Sequence, residues 1–213
     1  MDGIAANSAN VAQRLSDYLG IEGVEVIHPP VETGVFRWLD AGDYYLSTAR
    51  LEPYKRVELV VRAFMEMPNR QLVVASGGSE LPALKQLAAG YGNIRFTGWQ
   101  SEQQLRELIG RCAATVYVPV DEDFGLSPVE SMAAGKPVIG VAEGGLLETV
   151  QQGETGFLIN KDHFSQGDTA VHAICEAVAT LSLADIQGMR AACEQQAKAF
   201  DVKIFNRKFR DFI

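Results

Sequence analysis

The stretch Val120-Asp121-Glu122-Asp123-Phe124-Gly125-Leu126-Ser127-Pro128-Val129-Glu130-Ser131-Met132-Ala133-Ala134-Gly135-Lys136-Pro137-Val138-Ile139 decides how the chain is read. It leaves an apolar strand, crosses an acidic loop, enters a helix and emerges into a second apolar strand. Ser127 reads as an N-cap, Pro128 as the first helical residue and Glu130 as the acid three positions after the cap, which is the pattern of a capping box. The helix is therefore expected to start at Pro128, with Glu122 at the mouth of a sheet and Glu130 in the first helical turn.

Working outward, the same alternation recurs. Apolar strands are expected at 44–49, 71–76, 94–96, 114–118, 138–141 and 156–159. Amphipathic helices are expected near 54–67, 80–89, 101–111 and 145–151, and helices fill 169–212. Continuous apolar runs separated by helices imply βαβ units, right-handed crossovers and a doubly wound, Rossmann-like parallel α/β sheet covered on both faces. Residues 1–213 read as a single domain. Within it, 1–42 form a lead-in segment: a short helix at 8–19 stopped by Gly20, a candidate strand at 24–27 halted by Pro29-Pro30, and an exposed connector at 31–42. Residues 200–213 place Phe200, Ile204, Phe205, Phe209 and Phe212 among Lys203, Arg207, Lys208 and Arg210, a strongly amphipathic last helix. Its apolar side fits either this domain's own core or a surface facing another domain.

In such sheets ligands sit outside the carboxyl ends of the strands, where loops run into helix N-termini. Arg50 and Lys55 follow the first strand of the sheet, Gly77-Gly78 the second, Gly98-Trp99 the third, Glu122 the fourth and Gly144-Gly145 the fifth. The cations Arg50 and Lys55, with Lys55 just inside the following helix, suit a diphosphate. Gly144-Gly145 would let backbone approach a phosphate. Glu148, in the next turn, reads as a complement to its helix dipole. His28, His163 and His172 lack the spacing of a metal site or triad and read as structural. No G-x-G-x-x-G follows the first strand, which argues against a dinucleotide site.

Acids outnumber bases, 27 to 19, for a net charge of -8. That argues against nucleic acid as a partner, since backbone binding needs a basic face. No apolar run approaches a membrane-spanning length, and no signal peptide is recognised. Three cysteines, Cys112, Cys175 and Cys193, suit neither a disulfide framework nor a zinc site and fit a reducing cytoplasm.

Glu122 and Glu130, eight positions apart, resemble the E-x7-E motif of retaining glycosyltransferases of family 4 (group 1), enzymes of the two-domain GT-B architecture. The resemblance extends in order through 6–15 (Ala6-Asn7-Ser8-Ala9-Asn10-Val11-Ala12-Gln13-Arg14-Leu15), the Val26-Ile27-His28-Pro29-Pro30-Val31 segment, Arg50 with Lys55, the glutamate pair and Gly144-Gly145. It implies that the chain is the C-terminal, donor-binding half of such an enzyme. It also implies transfer of a sugar from a nucleoside-diphosphate sugar to an acceptor hydroxyl with retained configuration. The Val26–Val31 segment and the run Glu122-Asp123-Phe124-Gly125 are most similar to bacterial mannosyltransferase-like enzymes of cell-surface polysaccharide or glycolipid synthesis. Mannose is thus among the candidate sugars, carried on GDP or UDP.

By the resemblance Arg50 and Lys55 neutralise the diphosphate, Glu122 meets the transferred sugar and Glu130 binds the ribose hydroxyls. Gly77, Gly98, Trp99, Phe124, Gly125, Leu126, Gly144 and Gly145 complete the donor site. Trp99 fits equally a base-holding loop and a packed aromatic. No metal or other cofactor is expected. The implied partner is an N-terminal acceptor domain, in cis or in trans, without which the 213 residues are expected to transfer no sugar. The expected place is the cytoplasm, with the complete enzyme at the inner face of the membrane. Two other readings fit the same residues: a non-catalytic nucleotide-sugar-binding subunit, and a non-hydrolysing nucleotide-sugar epimerase.

Overall fold

The computed structural model describes residues 3–213. Six parallel strands form the main sheet: β3 (Tyr44–Ser47), β4 (Gln71–Val74), β5 (Ile94–Phe96), β6 (Thr115–Tyr117), β7 (Val138–Ala142) and β8 (Gly156–Asn160). Their spatial order is β5-β4-β3-β6-β7-β8. From β3 the chain winds outward through β4 to β5, then crosses back to lay β6 on the other side of β3. The order reverses between β3 and β6, and that reversal opens a crevice at their carboxyl ends.

Burial explains why the strands read as apolar runs. Leu46, Val74, Val116, Ile139 and Val141 are at most 1% exposed, because helices cover both faces of the sheet. On one side α2 (Val57–Glu66), α3 (Leu81–Leu87) and α7 (Gly167–Thr180) enclose the largest core, around Val61, Phe64, Leu84 and Ile174. On the other, α4 (Glu102–Arg111), α5 (Leu126–Ala133) and α8 (Leu183–Lys198) close two smaller cores, one around Phe124, Met132 and Phe200 and one around Leu46, Ile109 and Ala134. Helix starts are fixed locally where side chains satisfy the free N–H groups: Ser101 with Gln104 and Ser182 with Asp185 form capping boxes on α4 and α8. A short helix, α6 (Leu146–Thr149), follows β7.

The lead-in segment forms its own small unit. β1 (Ala5–Ala6) pairs in parallel with β2 (Glu25–Val26), joined by α1 (Ala9–Leu19), which Ser8 caps and Gly20 ends in the left-handed conformation. The expectation of an exposed connector at 31–42 is corrected. Val31 is 5% exposed and exchanges backbone hydrogen bonds with Phe200 and Val202. Trp38 packs between the Lys136 ammonium and the Arg190 guanidinium, while Lys136, fully buried, donates to the Asp40 carbonyl.

The last helix, α9 (Val202–Phe212), buries none of its residues fully. It starts at an Asp201 cap tied to Thr33, and the Phe212 ring lies against Gly3 of the lead-in segment. Phe205 and Phe209 stack on each other, and Phe209 is 45% exposed. The tail thus meets the lead-in unit through Phe212, while Phe200, just ahead of the helix, packs in the core around Phe124 and Met132.

Candidate functional site

Three loops meet where the strand order reverses. After β3 the chain passes Arg50, turns through the 3-10 segment Pro53–Lys55 and enters α2 through Arg56, whose φ of 52° is in the left-handed region. Lys55 therefore precedes α2, correcting its expected place inside that helix. After β6 the acidic loop carries Asp121, also left-handed with φ of 38°. Side-chain-bearing residues adopt this conformation at some cost, so the fold holds both against local preference. The brace is visible: Glu143 accepts from the Asp121 N–H at 3.0 Å and from the Arg56 guanidinium at 3.3 Å, and Arg56 also donates to the Pro119 carbonyl.

The strained turns bring Lys55 and Glu122 together. The Lys55 ammonium donates to Glu122 Oε2 at 2.5 Å, with both side chains mostly shielded, at 16% and 17% exposure. Tyr117, the last residue of β6, donates its hydroxyl to the same oxygen at 2.6 Å and accepts from Lys55 at 3.2 Å. Burial first, and the Glu122 carboxylate second, raise the Tyr117 phenol far above its ordinary range, so it stays protonated and remains a donor. Arg50 lies nearby in sequence but differs in state: it is exposed and, among the described residues, makes no ion pair.

The glycine pair does something other than expected. Gly145 donates its N–H to the Glu122 carbonyl at 2.7 Å. A Cβ on Gly144 would stand 2.4 Å from that carbonyl, and one on Gly145 would stand 2.3 Å from Phe124 Cα. These glycines admit the acidic loop itself, a need for glycine separate from the expected approach of a phosphate. Glu148 likewise has a different task. Its carboxylate accepts from the Ala9 and Asn10 N–H groups at the start of α1, at 2.9 and 3.0 Å, and bonds His28 at 3.0 Å. α1 in turn reaches the acidic loop through Arg14, 2.7 Å from Asp123.

Phe124 is 2% exposed and packs with His28 and Phe200, so its ring anchors the turn and is closed to a ligand. Gly125, with φ of 90°, is the N-cap of α5. The capping box is corrected: α5 starts at Leu126, which puts Ser127 inside the helix, and no side chain caps it. Pro128 falls in the first turn, where a missing N–H costs nothing.

Glu130 is thereby left without a structural partner. It lines a cavity of about 310 Å³ with Leu126, Phe36, Leu105, Glu102 and Arg106. Burial raises its carboxyl above the usual range, with Arg106 pulling the other way. Among the described residues nothing donates a hydrogen bond to it, and Arg106 is held by Glu102 at 2.9 Å. A shielded carboxylate without donors is an acceptor site for hydroxyls.

Farther along the rim, Trp99 is 70% exposed, which sets aside the packed-aromatic alternative. Its ring leans over Gly77, where a Cβ would stand 2.4 Å from the indole nitrogen. Gly98 turns that loop with φ of 69°. The structure thus unites Lys55, Glu122, Gly144 and Gly145, sets Glu130 with Leu126 in a pocket against α4 and the connector, and keeps Trp99 with Gly77 as a separate station. Tyr117, Arg56 and Glu143 were not legible as site residues, because an apolar strand end and two loop charges carry no motif.

A crevice at the switch point of a parallel sheet, lined by cations, carboxylates and glycine loops, defines a class of ligand-binding, doubly wound α/β proteins. Within it, residues 37–198 match the family Glycosyl transferases group 1, and the chain belongs to that family. The alpha-1,3/1,6-mannosyltransferase ALG2 of Dictyostelium discoideum is 34% identical over 146 residues, covering 57% of this chain and 35% of that protein. The D-inositol 3-phosphate glycosyltransferase of Mycobacterium bovis is 32% identical over 196 residues, covering 80% of this chain and 40% of that protein. The chain thus spans well under half the length of these relatives. Among solved structures, Anabaena HepE in complex with UDP and glucose superposes with a TM-score of 0.84 at 19% identity, covering 99% of this chain and 62% of that one. The pneumococcal O-GlcNAc transferase GtfA in complex with UDP and GlcNAc gives 0.82 at 20% identity, covering 99% and 44%. The fold is the α/β fold of GT-B glycosyltransferases.

Proposed function

We propose that this chain is the donor-binding domain of a retaining glycosyltransferase that moves a sugar, with mannose a candidate, from GDP or UDP to an acceptor hydroxyl in cell-surface polysaccharide or glycolipid synthesis. The observation that carries the reading is the meeting of Lys55 and Glu122 at the switch point, with Glu130, unpartnered among the described residues, on the helix that the Glu122 loop enters. In this reading the ribose hydroxyls donate to Glu130, which lacks other donors. The diphosphate takes Lys55 and the unpaired Arg50, and the sugar faces Glu122. As the bond to the sugar breaks, negative charge grows on the departing diphosphate and positive charge on the sugar. Cations that take the diphosphate and a carboxylate that faces the sugar stabilise both. The cations make a bound metal unnecessary.

The acceptor site belongs to a second, N-terminal domain, in cis or in trans, and the 213 residues alone bind donor without transferring sugar. Three free cysteines, two of them buried, support a reducing cytoplasmic setting for this domain, with the whole enzyme at the inner face of the membrane. Calorimetry against UDP, GDP, ADP and their sugar conjugates, with and without a chelator, tests the reading. Binding of a nucleoside diphosphate that survives chelation is expected. A strict divalent-metal requirement would overturn the metal-free site, no binding by any nucleotide would overturn the donor-binding reading, and acceptor-dependent turnover by the purified chain would overturn the half-enzyme reading.

A further inference from the structure

One group in the crevice has no role in the reading above. Tyr117 ends β6, is 7% exposed, and projects its hydroxyl into the Lys55–Glu122 pair. All three groups converge on one atom. Lys55 and Tyr117 both donate to Glu122 Oε2, at 2.5 and 2.6 Å, while Oε1 accepts no hydrogen bond from any described residue. The carboxylate is therefore held by one oxygen and offers the other.

The cation and the phenol are not equivalent holders. A diphosphate carries more negative charge than one carboxylate and competes for Lys55, whose side chain is a flexible stem ending in a point charge. Tyr117 stands on a strand of the sheet with its ring largely enclosed, and its hydroxyl remains a donor near neutral pH. It holds its position while Lys55 exchanges partners. The geometry points to Tyr117 as a positioning residue that keeps Glu122 Oε2 anchored, and Oε1 turned toward the sugar, when Lys55 transfers to the diphosphate. This rests on the reading of Glu122 as the sugar-facing carboxylate. It adds that Lys55 alternates between two anions and that the phenol makes the alternation harmless to the aim of Glu122.

Tyr117→Phe keeps the ring and removes the donor. Calorimetry on the 213-residue chain would use UDP, GDP, UDP-glucose and GDP-mannose. Affinity for the bare diphosphates is expected to stay within about twofold, while affinity for the nucleotide-sugar that binds wild type falls about tenfold, the effect of one hydrogen bond to a charged group. A double-mutant cycle reads whether Tyr117 acts through Glu122: Tyr117→Phe should add nothing in a Glu122→Gln background. The Tyr117 hydroxyl proton, assigned by its loss in Tyr117→Phe, should persist in NMR spectra when UDP or GDP is added, while the Lys55 ammonium signal shifts. Equal losses for bare and sugar-bearing ligands, additive losses in the cycle, or disappearance of the hydroxyl signal on adding nucleotide would each overturn the positioning role. No binding of any nucleotide to wild type would instead overturn the donor-binding reading, and the positioning role with it. If Tyr117→Phe does not fold, the hydroxyl signal in wild type, assigned by tyrosine labelling, still decides.

Discussion

Glu122 and Glu130 stand eight residues apart, on one loop and the helix it enters, yet the fold treats them in opposite ways. Glu122 is given a cation and a phenol, both on one oxygen, and its loop is clamped by the Glu143 brace and by Gly145. Glu130 is drawn into a pocket and given no donor. One carboxylate is satisfied by the protein, while the other is half-buried without a donor among the described residues, a cost that hydroxyls of a bound molecule would offset. The difference teaches that organisation and affinity are divided between the two halves of the motif: the first is set in place before the ligand arrives, and the second waits for hydroxyls.

The largest test of that division removes the cations. Arg50→Ala with Lys55→Ala should lower nucleoside diphosphate affinity by about 10²- to 10⁴-fold, two charged hydrogen bonds at about 1.5–3 kcal/mol each. Titration calorimetry checks it, and retained affinity would mean that the diphosphate does not lie between these residues. Next comes Glu130→Gln, which should weaken bare nucleotide and nucleotide-sugar alike, by about 10- to 150-fold. Glu122→Gln should weaken only the sugar-bearing ligand. A Glu122→Gln variant that also loses the bare nucleotide would erase the distinction.

The same pair of substitutions should move stability in opposite directions. Glu122→Gln leaves the shielded Lys55 without its counter-charge and should destabilise the free protein by about 1–3 kcal/mol. Glu130→Gln removes a shielded charge that has no donor and should stabilise it by about 1 kcal/mol. Thermal melts of the ligand-free variants should therefore bracket wild type, with shifts of about 2–4 °C per kcal/mol.

The smallest effect is in pH. Glu130 is raised in the folded state, so it binds its proton more tightly folded than unfolded. Its contribution to stability is fully present below the unfolded value and is lost as pH rises through the folded value. The advantage of Glu130→Gln over wild type should accordingly grow as pH rises from about 4 through the carboxylate range toward neutrality. Denaturant melts at several pH values would show it, and a constant difference would place the Glu130 carboxylate in contact with water or with a donor.

Much of this architecture was legible in the sequence. The six strands of the sheet are continuous apolar runs because both faces are covered, and the loops after them carry the candidate residues in order. The terminal residues of the elements shifted more, since Lys55 and the start of α5 depend on turns that tertiary contacts impose. Ser127-Pro128-Val129-Glu130 has the letters of a capping box, yet with Phe124 buried the helix starts at Leu126, two residues too early for Ser127 to cap. Local pattern lost to packing. Glu143 escaped for another reason: its partner Arg56 lies 87 residues away, and no short-range signal records such a pairing; Tyr117 stands five residues before Glu122 but reads as the end of an apolar strand.

The exposed indole of Trp99 has a practical consequence. The chain holds two tryptophans, and they report on different places. Trp38 is wedged between two cations under the connector, with the Lys136 ammonium 3.5 Å from its ring centroid, while Trp99 stands in water above Gly77 at the crevice rim. Their fluorescence should separate into a cation-quenched, sheltered emitter and a solvent-relaxed one. Replacing Trp38 by Phe would leave an intrinsic optical reporter at the rim, so occupancy of the crevice could be followed in a stopped-flow cuvette without any label.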